Sequence, residues 1–191
     1  MDIVLQRLPQ PPTSLNLLEV GPGSGNICLS LLTERDNLRI TALERSNLAA
    51  ELCAENAEDL GLLGHRLKIV ELKVDADTQW PDDNSSKFDM LISNPPYVLR
   101  KDLMDLAPEI SLYEDLRALD GGAEGLDVIL DIVRLAERVL VPEGKIVLEV
   151  DPCHHAILPQ HLIDLNLTFS ITEVLKDFNG KDRFLVLSRT L

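Results

Sequence analysis

Glu19 stands just ahead of the run Gly21-Pro22-Gly23-Ser24-Gly25, and a second acid, Glu44, follows about 20 residues on. Glycines at alternate positions let a backbone turn tightly and let a ligand come close where a Cβ would collide. A dinucleotide loop takes the form G-x-G-x-x-G, but position 26 is Asn where that pattern wants Gly or Ala. The form G-x-G-x-G preceded by an acid points instead to S-adenosylmethionine. Glu44 suits the two ribose hydroxyls of such a nucleoside, because a carboxylate accepts from both; its plainer role is that of an acid at a helix start. Asp75 falls where an adenine edge would lie and reads equally well as a solvated loop acid.

The second constellation is Asn94-Pro95-Pro96-Tyr97. An amide or aromatic amine nitrogen is a poor nucleophile because its lone pair is delocalised, so methylating it demands alignment and exclusion of water. The Asn94 side-chain oxygen can accept one N–H and the Pro95 carbonyl the other. Proline fixes φ and has no N–H of its own to compete. Tyr97 offers a flat wall for a planar group. No strong base is required, since the nitrogen proton becomes acidic as the methyl bonds and can leave to water.

Alternating strands and helices must position these groups. Asn16 to Val20 reads as a strand ending in the glycine run, followed by helical spacing from Ile27 to Leu32. Ile40 to Leu43 is a second strand, ending at Glu44. Ser46 is a plausible N-cap for a helix running to about Leu60. Strands are expected at Leu67 to Val74, at Phe88 to Ser93 and, after a helix from Leu126 to Val139 and a Pro142-Glu143-Gly144 turn, at Lys145 to Val150. Phe169 to Leu175 and Arg183 to Leu187, joined by Asp177, Asn179 and Gly180, suit an antiparallel hairpin. The expected fold is α/β: seven strands, mostly parallel, with helices on both faces and the antiparallel hairpin at one edge. In such a sheet the ligand sits at the carboxyl ends of the strands.

Composition bounds the function. The chain has 191 residues, 45% of them hydrophobic, which suits one buried core. Against 18 Lys and Arg stand 32 Asp and Glu, for a formal charge of −14, which repels phosphate backbones where cations do not cluster, and no Lys/Arg cluster stands in the sequence. No apolar run approaches the ~20 residues of a membrane span. Cys28, Cys53 and Cys153 are too dispersed for CxxC chemistry, and an odd count argues against a closed disulfide framework. Cys153, His154, His155 and His161 read as ordinary surface and core residues, so no metal is expected.

On these motifs the chain resembles the HemK-type glutamine methyltransferases, which modify the Gly-Gly-Gln glutamine of peptide-chain release factors. Further matches are Ala107-Pro108-Glu109-Ile110, Tyr113-Glu114, Ala118-Leu119-Asp120-Gly121-Gly122, Gly125-Leu126 and Asp182-Arg183. The resemblance covers nearly the whole chain from about Leu17. It implies the Rossmann-like class I methyltransferase fold, with Glu19, Gly21, Pro22, Gly23, Ser24, Gly25, Glu44, Asp75, Ala76 and Asn94 on the methyl-donor side. Asn94, Pro95, Pro96 and Tyr97 are implied to hold the glutamine. Ala76 replaces an aromatic that some members set against adenine. Glu149-Val150-Asp151-Pro152 looks more like the animal mitochondrial branch, which implies the mitochondrial matrix, or bacterial cytoplasm for a bacterial source. The implied partner is a release factor, with no nucleic acid or membrane and a monomeric state. Residues 1–15 are expected to be a remnant of the helix and linker preceding a catalytic domain at 16–191, the family's N-terminal helical domain having no counterpart.

Two other readings follow from the same residues. The Asn94 turn could grip the exocyclic amine of adenine in DNA or RNA, although the charge and the few aromatics leave little for a base-flipping groove. The chain could also be an inactive methyltransferase fragment.

Overall fold

The computed structural model describes residues 1–10, 13–80, 87–105, 109 and 115–190. Its elements are α1 (Asp2–Leu5), β1 (Leu15–Val20), α2 (Asn26–Glu34), β2 (Leu38–Glu44), α3 (Asn47–Asp59), β3 (Leu67–Glu71), β4 (Phe88–Ser93), α4 (Asp127–Val139), β5 (Leu140–Glu149), α5 (His154–Asp164), β6 (Phe169–Lys176) and β7 (Asp182–Arg189). Short 3-10 turns cover Arg100–Asp105 and Leu116–Ala118. Most of Ala107 to Glu114, which carries two of the motif matches, lies outside the described residues.

The seven strands form one sheet in the order β3-β2-β1-β4-β5-β7-β6. The first five in that order run parallel, while β7 is antiparallel to both β5 and β6. Alternation along the strands sends side chains to two cores. Leu17, Ile40, Met90, Ile92 and Val147 pack with Leu31, Leu32 and Cys53 from α2 and α3. Leu18, Leu43, Leu91, Ile146 and Leu148 pack with Ile129, Ile132, Val133, Ala136 and Leu158 from α4 and α5. Burial on both faces explains why the central strands read as unbroken apolar runs.

Because β1 leads outward to β2 and β3 and the chain then returns to β4, strand order reverses between β1 and β4. A crevice opens there at the carboxyl ends, and both sequence motifs leave from those two ends.

Two boundaries differ from the sequence reading by more than two residues. β3 stops at Glu71, and Leu72 to Val74 turn away to line the crevice. β5 begins at Leu140, with the register slipping so that Phe88 pairs Leu140 while Met90 pairs Lys145. Pro142-Glu143-Gly144 is thus a bulge within the strand and not a turn before it, since proline has no N–H for the ladder.

The start of the chain packs with the rest. Val4 and Leu8 are buried in the same core as β1 and β2, Leu15 belongs to β1, and Arg7 Nε donates to Glu173 on β6 at 3.0 Å. No described helix is long and apolar enough to cross a membrane.

Candidate active site

At the strand-order reversal lies a cavity of about 460 Å³, walled by Val20, Gly21 and Gly23 from the first motif and Asn94, Pro95 and Pro96 from the second. Gly21 and Gly23 have φ of +72° and +57° with open space where a Cβ would stand. Side chains strain there, and a ligand can come up against bare backbone. Both turns are tied down from below. Gly21 N–H donates to Leu43 O at 2.8 Å, and the buried Ser93 hydroxyl donates to Val20 O at 2.6 Å. That second bond locks the last carbonyl before the glycine run to the residue just before Asn94.

Glu44 is 6% exposed and lines the cavity. Its Oε2 accepts from Gly23 N–H at 3.0 Å and its Oε1 from Ser46 N–H at 2.8 Å. Each carboxylate oxygen has room for a second donor, so two hydroxyls can still be accepted.

Glu19 does not line the cavity; it is 1% exposed beneath the loop. The Cys28 amide and thiol reach it, but Oε2 has no partner among the described residues. Burial first, and the nearby Glu44 charge to a lesser degree, push its carboxyl up to about 7.

The other donor-side candidates are more peripheral. Pro22 and Gly25 are buried, closing the turn through Gly25 N–H to Pro22 O at 2.9 Å. The Ser24 carbonyl accepts from Asn56. Asp75 Oδ1 accepts from the Asp77 amide and the Thr78 hydroxyl, shaping a turn with exposed Ala76. Lys73 and Val74, not Asp75 and Ala76, line the cavity.

On the acceptor side Asn94 is exposed toward the cavity and Pro95 is buried. Tyr97 is off the cavity wall. Its hydroxyl donates to Glu149 Oε1 at 3.3 Å, and the Arg183 guanidinium lies over its ring, 5.6 Å from the centroid. Burial and then the Glu149 charge raise its phenol above the usual value, against the opposing pull of Arg183.

The stretch after the turn pairs back onto it: Val98 N–H donates to Leu119 O, and Gly121 N–H to Val98 O, both at 2.9 Å. A Cβ on Gly125 (φ +74°) would overlap the Tyr97 carbonyl oxygen and stand 2.7 Å from His154 Nε2. That close approach requires glycine.

Sequence reasoning missed Ser93, Glu149 and the Asp127, Val128 and Asp131 wall that α4 gives the cavity. Only the last carried a signal, two acids about one helical turn apart at the start of α4.

Cations scattered in the sequence also meet. Arg39, Arg66, Lys68 and Lys87 line a cleft of about 280 Å³ at the opposite end of β2 and β3, beside Trp80 and Phe88. Arg66 is committed to the carbonyls of Leu32, Arg35 and Leu38, and Lys87 to that of Arg138. These are structural caps at the wrong end of the sheet for a nucleotide. Among the described residues no group of His, Cys, Asp and Glu could hold a metal ion.

Sheet order and crevice define a class I methyltransferase fold, and comparison with known proteins agrees. The human "MTRF1L release factor glutamine methyltransferase" is 42% identical over 94% of this chain and 53% of its own length. The release factor glutamine methyltransferase of Agrobacterium fabrum is 32% identical over 92% of this chain and 58% of its own. The chain thus spans about half the length of the relatives it matches. A ribosomal protein L11 methylase from Lactobacillus delbrueckii subsp. bulgaricus superposes with a TM-score of 0.66 at 17% identity, covering all of this chain and 77% of that one. TrmN from Thermus thermophilus gives 0.65 at 20% identity, over 98% of this chain and 47% of its own. The methyltransferase small domain family matches residues 1–110. The chain belongs to that family, and its motif resemblance to release factor glutamine methyltransferases is matched by its curated relatives.

Proposed function

We propose that the chain transfers a methyl group from S-adenosylmethionine to the side-chain amide nitrogen (N5) of the glutamine in a release factor's Gly-Gly-Gln segment, leaving S-adenosylhomocysteine. One observation carries the reading: the glycine turn and the Asn94 turn share one cavity and are bonded together through Ser93 and Val20.

The donor fits the residues present. Bare backbone at Gly21 and Gly23 admits a ligand, Glu44 retains acceptor capacity for a ribose, and the buried Glu19 carboxyl underlies the loop. Glu19, Pro22, Ser24 and Gly25 then act by shaping that loop, and Asp75 and Ala76 by shaping the turn beyond the adenine end. When bound, S-adenosylmethionine supplies a methyl group on a positively charged sulfur.

The protein's own residues do the rest. Asn94 Oδ1 and the Pro95 carbonyl accept the two amide hydrogens, which turns the nitrogen in one direction and draws electron density toward it. Pro96 lines the cavity and keeps water from that side, Tyr97 next to it steadies the turn, and the surplus proton leaves to solvent after transfer. Held in this way, the amide reacts as if intramolecular. The animal-type Glu149-to-Pro152 stretch supports a mitochondrial matrix setting, with the protein acting as a monomer.

Mass spectrometry of a release factor incubated with the protein and donor tests this. One added methyl on the Gly-Gly-Gln peptide is expected. Methyl appearing only in an oligonucleotide control would favour the adenine reading instead, and no transfer at all would favour an inactive fragment.

A further inference from the structure

We propose that Glu149 is a positioning residue for the acceptor, acting through Tyr97. The inference rests on the methyltransferase reading above. Register fixes where Glu149 sits: Ser93 pairs Leu148 across β4 and β5, so Glu149 comes one residue further on, level with Asn94. On its other side it pairs Phe184 of β7, the neighbour of Arg183. A carboxylate at that point is not required by the fold, since the preceding residues of β5, from Ile146 to Leu148, are all buried and apolar.

The Tyr97 ring is held at both ends of its polarity. Its hydroxyl donates to Glu149, while the Arg183 guanidinium lies over its ring and is itself anchored by donating to the Val150 carbonyl at 3.1 Å. Gly121 and Gly125 press on the Tyr97 backbone from the α4 side. A tyrosine following two prolines could turn its ring outward into solvent; these contacts oppose that. The ring's plane relative to Asn94 is therefore set by groups on β5 and β7. A firmly held turn acts mainly on acceptor binding, because it restricts the orientation of a planar amide before reaction.

The test pairs a spectroscopic readout with kinetics. The chain has two tyrosines, so in a Tyr113→Phe background Tyr97 is the sole phenol, and its ionisation is followed by ultraviolet absorbance. The charged groups acting on it are Glu149, Arg183 and Asp151. Glu149→Leu should shift the titration to lower pH, since the carboxylate opposes ionisation. With release factor as substrate, Glu149→Leu should raise KM for the acceptor about ten-fold, the scale of one lost hydrogen bond, and leave donor affinity unchanged. Glu149→Gln, which keeps an accepting oxygen, should lose only about three-fold. Tyr97→Phe should match Glu149→Leu, and the double variant should be no worse than either.

An unmoved titration, multiplicative losses in the double variant, or donor affinity falling in step with acceptor affinity would each overturn the proposal. If wild-type protein transfers no methyl while the titration shifts as expected, the functional reading fails and the Glu149–Tyr97 coupling stands.

Discussion

The two halves of the proposed active site are built from different materials. On the donor side, at the ends of β1 and β2, the surface is mostly backbone, and the carboxylate that lines it, Glu44, accepts from the Gly23 and Ser46 amides close by in the same turns. On the acceptor side, at the ends of β4 and β5, a side chain works beside the Pro95 carbonyl, and Tyr97 is held by partners 52 and 86 residues away in sequence. Local turns preform the first half, whereas the second depends on the assembled sheet. Damage to the donor side should therefore show as lost binding, and damage to the acceptor side as lost turnover or altered acceptor recognition.

Removing the oxygen proposed to orient the nitrogen should separate the halves most widely. Asn94→Ala should cut kcat by roughly 10²–10³-fold, as for loss of a group that orients and polarises the reacting centre, with S-adenosylhomocysteine affinity by calorimetry nearly unchanged. A comparable fall in that affinity would mean that the turn serves the donor.

Next in size is Gly125→Ala. The added Cβ overlaps the Tyr97 carbonyl at a positive φ, which should cost about 3 kcal/mol in urea unfolding from overpacking and strain together. A neutral result would show that the acceptor turn is softer than this packing implies.

On the other side, Glu44→Ala leaves two amides unpaired and removes the hydroxyl acceptor. Donor affinity should drop by about 100-fold, while any methyl transfer at saturating donor persists.

The smallest effect concerns Glu19 and has a sign set by its burial. Its folded carboxyl titrates near 7 against an ordinary 4.5, so between those values the folded state holds a proton that the unfolded chain has lost. The associated stability is complete below about 4.5 and lost as pH rises through about 7. Glu19→Gln should thus stabilise the ligand-free protein at pH 8 by about 1–2 kcal/mol, the relief of burying a charge less the cost of an imperfectly paired amide. It should make little difference at pH 4.5.

This division also explains what the sequence revealed. The glycine turn, Glu44 with its Ser46 cap, and the Asn94 turn are local devices whose residue types announce them, and the alternating pattern around them gave the sheet and its closing hairpin. Glu149 and Ser93 were not legible. A lone acid or serine at a strand end looks like any other until strand order brings β4 between β1 and β5. The β5 bulge at Pro142 read as a turn because proline ends ladders in either case. Lys73 and Val74 displaced Asp75 and Ala76 from the cavity wall because β3 ends early, at Glu71, by a margin that apolar patterning does not resolve.

Finally, β7 follows β6 in the chain but lies inside the sheet between β5 and β6, and it carries the arginine that covers Tyr97. During synthesis from the amino end, the donor turn can form long before this strand exists, but the acceptor wall cannot. A nascent copy could acquire its nucleotide early and still be unable to modify anything until β7 has emerged and slid into place.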